Sequence, residues 1–91
     1  MAHRVVVLPS AVADLEGLDP AARRRVLRRL VWLGRNASQV IHHRLANLPD
    51  ALSGLCRFRV GDYRILYWPY PARRLLKVYR VQHRRDIYRR L

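Results

Sequence analysis

Apolar positions along the chain change period twice. Residues 3–8, HRVVVL, form a short β-branched run closed by Pro9 and predict a first strand. In SAVADLEGL the spacing turns helical, with Ser10 as N-cap and Gly17 near the stop. Asp19-Pro20 opens a longer helix of about four turns, a capping residue followed by a proline whose fixed φ suits the first helical position. Ala22, Val26, Leu30 and Leu33 recur at helical spacing and predict its buried stripe. Arg24, Arg25, Arg28 and Arg29 take the remaining faces, and Gly34 marks the expected end. Residues 35–54, rich in Asn, Ser, His, Pro and Gly, read as loop.

From Leu55 the period drops to two. LCRFRV and YRILYW flank Gly61-Asp62, a two-residue connection that suits a type I′ or II′ hairpin. LLKVYRV, residues 75–81, predicts a further strand, and the tail HRRDIYRRL a short helical turn. The expected fold is α+β: an N-terminal strand, two helices, then a three-stranded antiparallel meander and a short C-terminal helical turn. The helices cover one face of a mostly antiparallel sheet. A chain of 91 residues is read as one domain, residues 1–91.

The two-residue loop fixes a register in which Val60 faces Tyr63, Arg59 faces Arg64 and Phe58 faces Ile65. Cys56, Phe58, Val60, Tyr63, Ile65 and Tyr67 then point to the helices, while Arg57, Arg59 and Arg64 gather on the other face with Trp68. Like charges directly opposite on a sheet destabilise it by up to ~1 kcal/mol. A bound polyanion turns that repulsion into attraction, so the cluster reads as a phosphate site; a solvated face is the plainer alternative.

Charge strengthens the first of these. Nineteen Lys+Arg stand against six Asp+Glu, a formal net charge of +13, and Lys77 is the one lysine. Arginine presents a planar fork that matches phosphate bidentately. Nucleic acid is the first partner this favours, then an acidic protein, then an anionic membrane surface. No apolar run reaches the ~20 residues needed to span a bilayer, and the N-terminal run is too short for a secretory leader. With a single cysteine, Cys56, the chain is expected to be cytoplasmic, with no membrane association.

The chemistry on offer is narrow. Asp14, Glu16, Asp19, Asp50, Asp62 and Asp86 show no spacing at which carboxylates converge on metal ions, so no metal and no cofactor is expected. His42-His43 has no ligand partner nearby and reads as surface, Cys56 as an inert core thiol, and no serine lies in a nucleophile elbow. What remains is Arg, Tyr and His. RNA carries its own nucleophile, the 2′-hydroxyl, so positioned guanidiniums that stabilise the charged phosphorane can suffice, provided protons leave the 2′-oxygen and reach the 5′-oxygen. HRRDIY supplies His83, Arg84, Arg85 and Tyr88 for that task.

CRFRVGDYRILY, followed downstream by VQHRRDIYRR, resembles the RelE/ParE superfamily of bacterial toxins, most nearly the RelE-type ribosome-dependent mRNA interferases. The resemblance runs the length of the chain. It implies the toxin of a type II toxin–antitoxin system, an endoribonuclease that cuts mRNA in the ribosomal A site without metal. By position in the motifs, Arg64 matches the family arginine that stabilises the scissile phosphate, and Arg84 a second essential arginine at the leaving group. Tyr88 matches the tyrosine that orients the nucleotide. Arg57 and Arg59 stand where RelE-type toxins carry lysines. Arginine keeps the phosphate contact but is no base, so the base falls to Tyr88 or His83. Arg85 and Trp68 are expected as further RNA contacts, the latter by stacking. The resemblance also implies a cognate antitoxin, a toxin–antitoxin hetero-oligomer, and contacts with the ribosome and mRNA.

Two other functions fit the same chain. A ParE-type toxin shares the fold and poisons DNA gyrase, but generally lacks the Arg64, Arg84 and Tyr88 set. A non-catalytic basic RNA-binding protein would suit the composition, yet would not need Arg, His and Tyr concentrated at two strand ends.

Overall fold

The computed structural model describes residues 2–86. Strand β1 (Arg4–Val7) leads into helix α1 (Pro9–Glu16) and helix α2 (Pro20–Asn36); β2 (His43–Arg44), β3 (Cys56–Val60), β4 (Tyr63–Tyr70) and β5 (Leu75–His83) follow. The sheet order is β1-β5-β4-β3-β2. The meander is antiparallel as expected, but β1 joins it in parallel, Arg4 to Val7 pairing with Leu75 to Val78. The loop expected over residues 35–54 holds β2 and a 3₁₀ turn at Asp50–Leu52. The expected C-terminal helical turn lies mostly outside the described residues.

Local chemistry explains the helices. Asp19 caps α2 by accepting the Ala22 N–H at 2.9 Å, and Ala22, Val26, Leu30 and Leu33 are buried. Arg23, on the same helix, donates to the Leu15, Glu16 and Leu18 carbonyls and so closes the end of α1. Ser10 does not cap α1. Pro9 takes the first helical position after Leu8, which frees the Ser10 hydroxyl to donate to the Tyr79 carbonyl at 2.6 Å.

Gly34 does not end α2 either, which continues to Asn36. A Cβ at residue 34 would lie 2.7 Å from Val5 Cγ2 and 3.1 Å from the His3 carbonyl oxygen, so the glycine lets α2 meet β1. Gly34→Ala gains about 1 kcal/mol of helix propensity but loses more to this collision. The expected net cost is about 1–2 kcal/mol, measured as a lower urea midpoint at unchanged m.

The main core lies between helices and sheet, where Val26, Leu30 and Leu33 meet Cys56, Ile65, Tyr67, Leu76, Val78 and Val81. Burial pushes the Cys56 thiol up, with Arg44 pulling weakly the other way, so the thiol is an inert core group as expected. The opposite face is not bare. Leu55 and Leu66 are fully buried there under Leu45, Leu48, Trp68 and Tyr79.

Past Val78, β5 has no strand on its outer side among the described residues, and α1 covers that edge. Asp14 accepts the Val81 N–H at 2.9 Å and both Arg80 Nε and Nη2, at 2.8 and 3.1 Å. On the inner side, pairing shifts between Leu66 and Tyr67, whose partners are Arg80 and Val78, so Tyr79 is bulged out of the ladder.

Candidate phosphate-binding site

The β3–β4 register is the one the turn predicts, Cys56↔Tyr67 through Val60↔Tyr63, with Arg59 directly opposite Arg64. Gly61 takes φ +58° and Asp62 is not left-handed, which fits type II′ rather than I′. Alternation puts Arg57, Arg59 and Arg64 on the face away from the helices. There they line a groove of about 650 Å³ along the outer edge of β3, together with Gln39, Val40, Ile41, His43 and Phe58.

None of the groove's lining residues is acidic. Arg57 and Arg59 are exposed, while Arg64 is half-buried and its Nη1 is sealed from solvent with no hydrogen-bond partner among the described residues. A buried guanidinium N–H without an acceptor costs about 1–3 kcal/mol, a debt a phosphate oxygen would cancel. The geometry suits an anion.

The bulge at Tyr79 decides what stands beside Arg64. Uninterrupted pairing from Tyr70↔Leu75 would bring Val81 opposite Arg64; the extra residue instead brings Gln82, which is 7% exposed. His83 consequently pairs with Tyr63, ring edge to face at 5.6 Å, and lies on the helix side of the sheet. Its Nδ1 accepts the Arg85 N–H at 3.2 Å, and its neighbours include Asp19, Arg25 and Asp62. The structure therefore does not bring His83 together with the arginine cluster.

Arg84 is moored at the hairpin tip. Its N–H donates to the Asp62 carbonyl at 2.8 Å, and its Nε stands 3.8 Å from Asp62 Oδ1, with both side chains well exposed. Such a pair is weak and yields readily to a stronger anion. Arg85 is exposed. Tyr88 lies outside the described residues.

Trp68 shares the arginine face but is not free. Its Nε1 donates to the Ser53 carbonyl at 3.0 Å and its ring leans on Tyr79, centroids 5.2 Å apart. It borders a second groove, of about 460 Å³, with Arg44, Ser53, Tyr70 and Lys77. The two adjacent histidines, both expected at the surface, divide. His43 is exposed and lines the first groove opposite Arg57, whereas His42 is half-buried, its Nδ1 bonded to Tyr67 Oη at 2.6 Å and its Nε2 to the Ala37 carbonyl at 2.8 Å. Gln82 and His43 are the site residues sequence reasoning missed. Only the pairing partners of β5 and β2 would have revealed them. Among the described residues no three His, Cys, Asp or Glu side chains lie together as metal ligands, and no helix is long and apolar enough to cross a membrane.

Two helices on a five-stranded sheet with an arginine-lined groove define a small basic α+β protein with an arginine-rich face. The family model of the ParE toxin of type II toxin–antitoxin systems, parDE, matches residues 5–88, and the chain belongs to this family of toxins, within the RelE/ParE superfamily. A search of curated proteins finds no significant match. Among solved structures, the RelBE2 toxin–antitoxin complex of Mycobacterium tuberculosis is similar at 28% identity and a TM-score of 0.76, over 94% of this chain and 95% of that one. The free E. coli RelE toxin mutant shares the fold at 16% identity and a TM-score of 0.70, over 97% and 90% of the two chains. The chromosomal ParDE system of P. aeruginosa shares it at 11% identity and a TM-score of 0.67, over 90% and 96%.

Proposed function

We propose that this toxin is a metal-independent endoribonuclease that cuts mRNA in the ribosomal A site. The observation that carries the reading is the Arg59–Arg64 pair, two arginines directly opposite on neighbouring strands with no acid in the groove they line, one of them with a buried N–H lacking an acceptor. The arrangement is costly to an empty protein and suited to a phosphate that gains negative charge as it reacts.

In this mechanism Arg64 and Arg59 hold the scissile phosphate and Arg57 a neighbouring one. The 2′-oxygen attacks phosphorus and its bond to the 5′-oxygen breaks, leaving a 2′,3′-cyclic phosphate and a 5′-hydroxyl. The guanidiniums stabilise the phosphorane between these states. Arg84 releases Asp62 to meet the leaving group, with Arg85 as a further backbone contact, while Tyr88 orients the nucleotide. Trp68 and its groove offer a neighbouring base an aromatic wall. A cognate antitoxin, such as the RelB-type partners named for the solved relatives, would neutralise the +13 charge and cover the arginine face in a hetero-oligomer acting in the cytoplasm.

A ParE-type reading, inhibition of DNA gyrase without RNA cleavage, is favoured by the matching family model and by the position of His83 across the sheet from Arg64. One experiment separates the two. The toxin is added to ribosomes stalled on a defined mRNA and cuts are mapped by primer extension, with EDTA-treated free RNA and a gyrase–DNA reaction in parallel. A cut at the A-site codon supports the nuclease. Intact mRNA together with trapped gyrase–DNA complexes would refute it.

A further inference from the structure

We propose that His43 is a catalytic residue of this site, the group that takes the proton from the attacking 2′-hydroxyl. The inference deepens the nuclease reading and rests on it. The reaction needs a proton acceptor within reach of the phosphate, and Arg57, Arg59 and Arg64 cannot serve, because guanidinium keeps its proton at any working pH. His83 stands on the other face of the sheet. Cys56 is buried beneath the strand and its thiol is pushed up.

His43 alone among the groove-lining residues carries an imidazole, a side chain that can accept a proton. Its place is fixed by the fold. β2 is only two residues long, and its pairing with β3 sets His43 opposite Arg57 and Arg44 opposite Cys56. The imidazole therefore projects to the same face as the three arginines. The pairing stops there because His42 turns inward to Tyr67 and the Ala37 carbonyl, and residues 39–41 swing away from β3 to form the far wall of the groove. Among the described residues the His43 ring has no hydrogen-bond partner, unlike His42 and His83. The charged groups around it are Arg57 and Arg59 from β3, Arg64 from β4 and Arg44 on its own strand.

Neutral His43 accepts the 2′-hydroxyl proton as the O2′–P bond forms. The P–O5′ bond then breaks, its electron pair goes to the 5′-oxygen, and that oxygen is protonated by water from the open groove. The imidazolium returns its proton to solvent, so the enzyme is unchanged and no co-reactant is needed.

The test is single-turnover cleavage on programmed ribosomes between pH 5.5 and 8.5, comparing wild type, His43→Gln, His83→Gln and Tyr88→Phe, with ribosome binding measured by sedimentation. For wild type the rate should climb with pH to a plateau. His43→Gln should cut about 10²-fold more slowly, lose that pH limb and bind ribosomes within twofold of wild type; added imidazole should restore part of the rate to His43→Gly. A His43→Gln protein that keeps the rate and the limb overturns the proposal, as does a limb lost only in His83→Gln or moved only in Tyr88→Phe, and each leaves the nuclease reading standing. Wild-type protein that binds ribosomes and cuts nothing overturns both.

Discussion

Arg64→Ala is expected to slow A-site cleavage by roughly 10²–10³-fold, the loss typical of removing one donor to a developing oxyanion, while the toxin still sediments with ribosomes. The two readouts separate because the chain keeps Arg57, Arg59 and its other exposed arginines for non-specific attraction to RNA. Arg64 alone contributes the half-buried guanidinium, fixed between Arg59 on β3 and Gln82 on β5. Arg64→Lys should recover little, since an ammonium keeps the charge but loses the fork. Arg64→Ala should also make the folded protein slightly more stable, because it removes the repulsion from Arg59 and the buried N–H without an acceptor. Equal losses of ribosome binding and of cleavage would instead mark Arg64 as one more phosphate contact in a passive binder.

The largest loss of stability is expected at Asp14, far from the groove. Its carboxylate accepts two hydrogen bonds from Arg80 and one from the Val81 N–H, and the two side chains are only 12% and 20% exposed. Asp14→Ala takes the ion-pair partner from a shielded guanidinium and the acceptor from a strand N–H, for about 3 kcal/mol in all. In a domain of this size that lowers the melting midpoint by about 15 °C. Asp14→Asn, which can still accept from Val81, should lose about half as much. Arg80→Met placed on Asp14→Ala should restore part of the loss, because the stranded charge goes with it; a double variant no better than the single one would put the whole cost on the edge N–H.

Much of this architecture was legible in the sequence because the decisive signals are local. Asp19-Pro20 and the Ala22-Val26-Leu30-Leu33 spacing specify α2 without reference to the rest of the chain, and Gly61-Asp62 sets the hairpin register, hence the arginine cluster. What escaped depends on contacts between distant segments. Gly34 carries the same residue identity whether it ends a helix or admits a neighbouring strand; Val5 and His3 decide. The bulge at Tyr79 has no counterpart in the pattern LLKVYRVQH, yet it puts Gln82 in place of Val81 opposite Arg64 and turns His83 to the other face. The division between His42 and His43 follows from Tyr67, which only the folded sheet brings to His42. The core was therefore readable, and so was the clustering of Arg57, Arg59 and Arg64. The placement of His43, Gln82 and His83 around it was not.

The parallel pairing of β1 with β5 also bears on when the protein comes into being. Ser10 is tied to Tyr79 across 69 residues and Asp14 to Val81 across 67, so the first strand and helix emerge long before anything exists to hold them. At about 5–20 residues per second of synthesis, that wait lasts between about 3 and 14 s. Contacts so distant in the chain also place folding among the slower topologies, in the millisecond-to-second range after release. The β3–β4 hairpin can close earlier, but the third strand that frames Arg64 arrives last. A chain built this way cannot frame Arg64 until β5 has been made, and for those seconds its apolar N-terminal strand has no partner strand within its own chain.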